Sequence, residues 1–304
     1  MTSSVKTCWW RLSLPISPDL EESLLWKLAD MGLHRVAVQH APETPSQLTL
    51  LAWLPAFEWP EHERDHLIAS LCPLAEVFGV ALAPPRWDEV ADEDWSLSWK
   101  QHWQPDPVGQ RLLILPAWLK LPDEYSDRLV LRMDPGAAFG SGSHPTTRLC
   151  LEALERTPPL GLRVADLGCG SGILGLAAIG LGAQAVVAAD TDSLAVRSTT
   201  ENAALNGLSE HQLSVELGSS DSLETLLSGA PADLLLCNIL APVIEALAPS
   251  FDRLLSKRGR GLLSGLLVDQ APRLINVLNG LGWQVDSQFE QGRWGLLNIS
   301  KSRT

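Results

Sequence analysis

One stretch constrains this 304-residue chain more than any other: Val164-Ala165-Asp166-Leu167-Gly168-Cys169-Gly170-Ser171-Gly172-Ile173-Leu174. Val164 to Leu167 is short and apolar, the pattern of a strand covered on both faces. Three glycines at alternate positions then let the backbone turn sharply and approach a ligand with no Cβ in the way. Ile173 to Leu181 is apolar and alanine-rich, which predicts a helix packed on a sheet, its free N–H groups aimed back over the glycines. A second apolar run, Ala185 to Ala189, ends at Asp190, 22 residues after Gly168. That is the strand-helix-strand spacing at which an acid reaches the ribose hydroxyls of a nucleoside bound across the carboxyl edge of a sheet.

Two cofactor classes fit this geometry, dinucleotides and S-adenosylmethionine. The dinucleotide fingerprint places its third glycine three positions after the second, where this chain has Ile173, and needs no acid before the first. Here Asp166 precedes Gly168 by two, and the glycines fall at 168, 170 and 172. That pattern resembles the methyltransferase form of the fold and favours S-adenosylmethionine.

The length predicts two domains, and 45% apolar residues supply two cores. No run approaches 18 uncharged apolar residues, and Lys6 and Arg11 break the apolar N-terminus, so neither a membrane span nor a signal peptide is expected. Cysteines 8, 72, 150, 169 and 237 form no C-x-x-C pair, which points to reduced thiols and a cytoplasmic protein, with Cys169 a small filler in the glycine turn. The formal charge of −13 argues against nucleic acid gripped through its phosphates. It is uneven: residues 1–107 hold seven Lys and Arg against sixteen Asp and Glu, a formal −9, leaving −4 for residues 108–304. An acidic first domain suits a basic partner by long-range attraction, and serves equally as a solubility device.

Taken in order, residues 8–14 read as a strand, Pro18 to Met31 as a helix closed by Gly32, Arg35 to Gln39 and Leu48 to Leu54 as strands, Glu61 to Leu71 as a helix and Val77 to Ala83 as a last strand. This is the split βαβ order of ferredoxin-like domains. His62 and His66 lie four apart, but Glu63 does not complete a metalloprotease motif, and no metal site is expected. Pro84-Pro85 then interrupts the chain. Five acids among residues 88–94 precede Trp95, Trp99 and Trp103, a four-residue repeat that predicts a linker helix packing its indoles on both domains, or else an aromatic platform. Val108 to Pro116 and Leu129 to Met133 read as strands. Leu234 to Cys237 reads as another, followed by Asn238. Leu262 to Ser264, a helix from Gln270 to Leu281 and a terminal hairpin from Trp283 to Ile299 complete a sheet.

The segment Asp134-Pro135-Gly136-Ala137-Ala138-Phe139-Gly140-Ser141-Gly142-Ser143-His144-Pro145-Thr146-Thr147 is too unusual for an ordinary loop, and its glycines suit a lid over a cofactor. With Asp166 to Gly172, Asp190 and Asn238-Ile239-Leu240-Ala241, it resembles the PrmA family, the methyltransferases of large-subunit ribosomal protein eleven. The resemblance covers nearly the whole chain and extends to Trp99-Lys100-Gln101-His102-Trp103. The family commonly has Thr where this chain has Ser141 and Ser143, a change that keeps the hydroxyls. The resemblance implies an α/β seven-stranded methyltransferase domain behind a smaller, substrate-holding ferredoxin-like domain. It also implies S-adenosylmethionine as donor, with lysine ε-amino and N-terminal α-amino groups as acceptors. Carried over position by position, the cofactor contacts are Thr147, Gly168, Asp190 and Asn238; no catalytic residue is assigned. Enzymes that methylate DNA bases or glutamine usually follow this Asn with Pro-Pro and an aromatic ring that stacks on a planar acceptor. Ile239-Leu240-Ala241 suits a flexible aliphatic amine instead.

The expected boundaries are 1–87 for the ferredoxin-like domain, 88–107 for the linker helix and 108–304 for the methyltransferase domain. The expected chemistry is in-line displacement of a sulfonium methyl by a neutral amine on a large-subunit ribosomal protein, with no nucleic acid, membrane or metal involved. A free lysine, with a pKa near 10.4, is neutral in roughly one molecule in 2,500 at pH 7, so the site must favour deprotonation by about 4 to 5 kcal/mol or wait for it. His144, the one titratable candidate base in these motifs, reads as structural. The alternatives are a methyltransferase of this fold acting on another protein or small amine, a NAD-dependent Rossmann-type dehydrogenase, and a binding module without turnover.

Overall fold

The computed structural model describes residues 8–33, 35–41, 44–91, 103–134 and 142–302. The chain divides into two compact units, Met1–Gln104 and Pro105–Thr304.

In the first unit, β1 (Cys8–Ile16), α1 (Glu21–Asp30), β2 (Val36–Ala41), β3 (Thr44–Pro55), α2 (Glu61–Val77) and β4 (Arg86–Ala91) form an antiparallel sheet in the order β2-β3-β1-β4. This is the expected split βαβ arrangement. Leu12 and Leu14 on β1 are buried together with Leu24 and Leu28 of α1 and Leu67 and Leu71 of α2. The last strand is not Val77 to Ala83. Helical spacing continues through the buried Leu67, Leu71, Ala75 and Phe78, so α2 runs to Val77, which itself is 74% exposed. The strand comes after Pro84-Pro85, and it contains Asp88 and Glu89, which had been read as the start of a linker helix. A sheet edge tolerates such acids, and Arg11, opposite Asp88 on β1, binds it at 2.8 Å. The Arg11 hydrogen bond holds the Asp88 carboxyl below its ordinary range, with Arg86 assisting. Pro84-Pro85 therefore lies inside the first unit.

Most of the expected linker helix, residues 92–102 with Trp95 and Trp99, lies outside the described residues, as does 135–141 of the glycine-rich segment. Trp103 packs against Ala37, Leu51 and Trp53 of the first sheet, and its Nε1 donates to the Val36 carbonyl at 3.4 Å. That is the packing role, seen within one unit.

The second unit opens with a small sheet of β5 (Asp106–Val108), β6 (Leu112–Pro116) and β7 (Leu129–Met133). Residues 108–116, expected as one strand, are thus split by a turn at Gly109-Gln110-Arg111. Then follow α3 (Pro145–Arg156), β8 (Arg163–Leu167), α4 (Ile173–Gly180), β9 (Ala185–Asp190), α5 (Ser193–Leu205), β10 (Leu213–Leu217), α6 (Ser220–Leu227), β11 (Ala232–Asn238), α7 (Ala241–Leu247), α8 (Phe251–Leu254), β12 (Leu255–Leu267), α9 (Ala271–Gly280), β13 (Trp283–Gln291) and β14 (Trp294–Lys301). The seven-stranded sheet has the order β10-β9-β8-β11-β12-β14-β13. Strand β14 runs antiparallel to both neighbours, which makes it the inserted strand that the terminal hairpin suggested. Order reverses at β8, flanked by β9 and β11, which opens a crevice at the carboxyl ends of these strands.

Candidate active site

Strand β8 delivers the chain to Gly168, whose φ of +77° glycine adopts without strain and other residues rarely do. A Cβ there would also collide with Ile239 Cγ2, so the glycine lets the turn after β8 lie directly against the turn after β11. The Gly168 and Cys169 N–H groups donate to the Ala189 carbonyl at 2.9 and 3.2 Å, fastening the turn to the end of β9.

Asp190 stands at that end. Its Oδ2 accepts from the Gly170 N–H at 2.9 Å and its Oδ1 from the Asp192 N–H at 3.0 Å. Burial raises its pKa, while these N–H groups oppose the rise. Two donors leave lone pairs on a rigidly held carboxylate, as a ribose diol requires.

Asn238 ends β11, and its Nδ2 donates to Thr147 Oγ1 at 3.3 Å. Its Oδ1 is buried and has no hydrogen-bond partner among the described residues. Thr147 sits in the first turn of α3, whose N-cap is His144: Nδ1 accepts from the Thr146 N–H at 3.3 Å and lies 2.8 Å from Thr146 Oγ1. The His144 ring meets Trp294 edge-on at 4.7 Å and is 3% exposed. The cap and the aromatic neighbour fix the orientation of the ring. Thr147, Gly168, Asp190 and Asn238, far apart in the chain, thus meet at one crevice.

Asp166 lies one residue before the end of β8, fully buried, and neither carboxyl oxygen has a hydrogen-bond partner of ordinary geometry among the described residues, although the Gly175 N–H faces it from α4. Burial pushes its pKa up to about 7; Gly175 opposes the shift and the charge of Asp190 adds to it. All five cysteines are free, and Cys169, 6% exposed, receives the Thr199 hydroxyl at 3.3 Å as a filler of the turn.

Two features had no sequence signal that was used. Helix α5 sets Thr199 and Asn202 against the glycine turn. Gly265, at φ +84°, makes a bulge in β12 where its pairing with β14 shifts register, and a Cβ there would strike the backbone of Ile239. A polar pattern of Asn at 202 and 206 on a helix otherwise packed on the sheet was the legible clue to the first.

A seven-stranded sheet with this strand order, an antiparallel β14 and a glycine turn facing an acid and an Asn defines a methyltransferase-type α/β domain. The family model described as ribosomal protein L11 methyltransferase (PrmA) matches residues 8–302. The chain is 67% identical over 301 residues to the ribosomal protein L11 methyltransferase of Prochlorococcus marinus strain MIT 9303, covering 99% of this chain and 100% of that one. It is 70% identical over 284 residues to that of Parasynechococcus marenigrum strain WH8102, covering 93% and 98%. Among solved structures, the ribosomal protein L11 methylase of Lactobacillus delbrueckii subsp. bulgaricus aligns with a TM-score of 0.59 at 34% identity, over 66% of this chain and all of that one. The chain belongs to the ribosomal protein L11 methyltransferase family.

Proposed function

We propose that this protein transfers methyl groups from S-adenosylmethionine to lysine ε-amino and N-terminal α-amino groups of large-subunit ribosomal protein L11. The observation that carries this reading is Asn238: it stands at the carboxyl end of β11, its amide N–H engaged with Thr147 and its buried carbonyl oxygen without a partner, beside the glycine turn and Asp190. A buried acceptor left without a donor costs about 1 to 3 kcal/mol, so a ligand bearing donors is the natural complement. S-adenosylmethionine fits, because its ribose hydroxyls answer the carboxylate of Asp190 beside the glycine turn.

When bound, the cofactor supplies a methyl group on a sulfonium centre. The chain's part is to bind and orient. Gly168 allows close backbone approach, Asp190 holds the ribose, and Thr147 fixes the amide plane of Asn238. Asn238 then has a carbonyl oxygen free to accept an N–H from the incoming amine. Leu240, 58% exposed two residues later, offers an aliphatic stem an apolar wall and offers no ring for stacking a base. With the His144 Nδ1 engaged in its cap, no described side chain is assigned as base; the amine arrives neutral, and rate comes from positioning.

The first unit, in this proposal, holds the substrate: it has the split βαβ fold, lacks the cofactor residues, and carries most of the negative charge, suited to a lysine-rich partner. A cytoplasmic location is part of the reading, supported by the five free thiols. Calorimetric titration tests the cofactor directly. Saturable binding of S-adenosylmethionine and none of NAD is expected; the opposite result overturns this reading of the cofactor.

A further inference from the structure

Helix α5 turns a buried polar stripe toward the glycine turn. Thr199 Oγ1 donates to the Gly170 carbonyl at 3.0 Å. Asn202, 1% exposed, donates from Nδ2 to the Ser171 carbonyl at 2.9 Å and accepts at Oδ1 from the Asp134 N–H at 2.9 Å. One turn further on, Asn206 does something different. Its Oδ1 accepts from the Arg132 N–H at 2.9 Å and its Nδ2 donates to the Arg132 carbonyl at 2.7 Å, so its side chain extends the pairing of β7 without touching the cofactor turn.

We propose that Asn202 is a positioning residue for the cofactor: its one amide group locks the Ser171 peptide of the glycine turn and ties that turn to the end of β7. The inference rests on the proposed use of S-adenosylmethionine. Its physical basis is the turn's composition. Three glycines in five residues leave peptide planes free to rotate, and a ligand gripped by such a turn would bear the entropy of ordering it. Pinning the carbonyls of Gly170 and Ser171 from outside removes that freedom in advance, which is how preorganisation raises affinity. Only an amide does both halves of the task at position 202. A carboxylate presents acceptors on both sides and sets an oxygen against the Ser171 carbonyl; an aliphatic side chain offers neither bond.

This difference makes the test selective. S-adenosylmethionine affinity is measured by calorimetry on the full chain and on Asn202→Asp, Asn202→Ala and Asn206→Ala, with the ligand-free thermal midpoint and kcat at saturating cofactor alongside. Asn202→Asp keeps the acceptor for the Asp134 N–H, loses the donor to Ser171 and sets an oxygen against that carbonyl, whereas Asn202→Ala loses both bonds without the repulsion. Both Asn202 variants are expected to bind about tenfold more weakly, or worse, the equivalent of one lost buried hydrogen bond. Once saturated with cofactor they should keep kcat within about threefold, because uniform binding was lost and no interaction peculiar to the transition state. Asn206→Ala should lower the thermal midpoint and leave affinity within about twofold, because its side chain bonds Arg132 and the Asn202 backbone carbonyl and none of these bonds reaches the glycine turn. Wild-type affinity in Asn202→Asp overturns the proposal, since anchoring Asp134 would then be the whole role. Equal weakening in Asn206→Ala also overturns it, by showing general loosening. If the Asn202 variants do not fold, Thr199→Val removes the neighbouring donor to Gly170 in an isosteric side chain; several-fold weaker binding supports the stripe's role and unchanged binding refutes it. Failure of the wild-type protein to bind S-adenosylmethionine is a distinct result, and it sinks the proposed function.

Discussion

Two aspartates beside the glycine turn, Asp166 buried and Asp190 half-buried, differ in company. Asp190 has an N–H on each oxygen, whereas Asp166 has no such partner among the described residues. Removing the Asp190 carboxylate should leave ribose hydroxyls unpaired, so Asp190→Ala is expected to weaken S-adenosylmethionine binding by about 1 to 3 kcal/mol in an equilibrium titration. Asp166 makes a prediction about stability. Its folded pKa, about 7, lies above the ordinary 3.8, so between these values the folded chain binds more protons than the unfolded chain. Stability therefore falls as pH rises through that window, by as much as about 4 kcal/mol from this group. Asp166→Asn removes this group's share of the dependence and leaves the share of Asp190, which burial also raises. Denaturant titrations should find the variant's advantage over the wild type larger at pH 8 than at pH 5; a smaller one would contradict the assignment. His144→Ala should keep measurable turnover and cost about 1 to 2 kcal/mol in stability, the loss of an N-cap and a ring contact. Activity of the wild type should rise toward pH 9 as the acceptor amine deprotonates. A bell-shaped profile that His144→Ala abolishes would restore the histidine as a base.

Among the elements, the turn after β11 is held by a glycine on its neighbour. Gly265→Ala combines a left-handed φ with a Cβ against Ile239 backbone atoms, whereas Gly282→Ala carries a similar φ of +83° into open space. The second should cost about 1 kcal/mol. The first should cost more and lower kcat as well, because it displaces Asn238-Ile239-Leu240; equal behaviour of the two would show that the contact is immaterial. Which elements were legible follows from what buries them. Strands β8, β9 and β11 are covered on both faces and spell continuous apolar runs, and the glycine turn and Asp190 announce themselves by spacing. Strand β4 was missed because its acids suit an edge and find Arg11 across the sheet, information that only pairing supplies. The hairpin of β5 and β6 does carry a local signal, the polar turn Gly109-Gln110-Arg111, which the apolar run Leu112 to Leu115 outweighed in the reading of 108–116 as one strand. Thr147 and Asn238 came from family resemblance; their 3.3 Å contact joins residues 91 positions apart and leaves no local trace. Asn202 carries no local signature of its role, since its partners, Ser171 and Asp134, lie on two other segments.

At the scale of the molecule, chemistry and substrate holding are assigned to different units. All four residues proposed to bind the cofactor lie beyond Pro105, so a chain beginning there is expected to bind S-adenosylmethionine within a few-fold of the full-length affinity, as independent sites behave. It should lose most transfer to ribosomal protein L11, because several amines must be offered to one crevice by a domain it no longer has. Transfer at the full-length rate would leave the first unit without its proposed task. The crevice at the ends of β8, β9 and β11 is proposed to move methyl groups onto amines of that ribosomal protein. Intact-mass and fragment spectrometry of purified ribosomal protein L11, incubated with this protein and isotope-labelled S-adenosylmethionine, tests it most directly. Whole-methyl increments on lysine side chains or the N-terminal amine, absent with Asn238→Ala, are predicted. An unmodified substrate, or label on any group other than an amine, would contradict it.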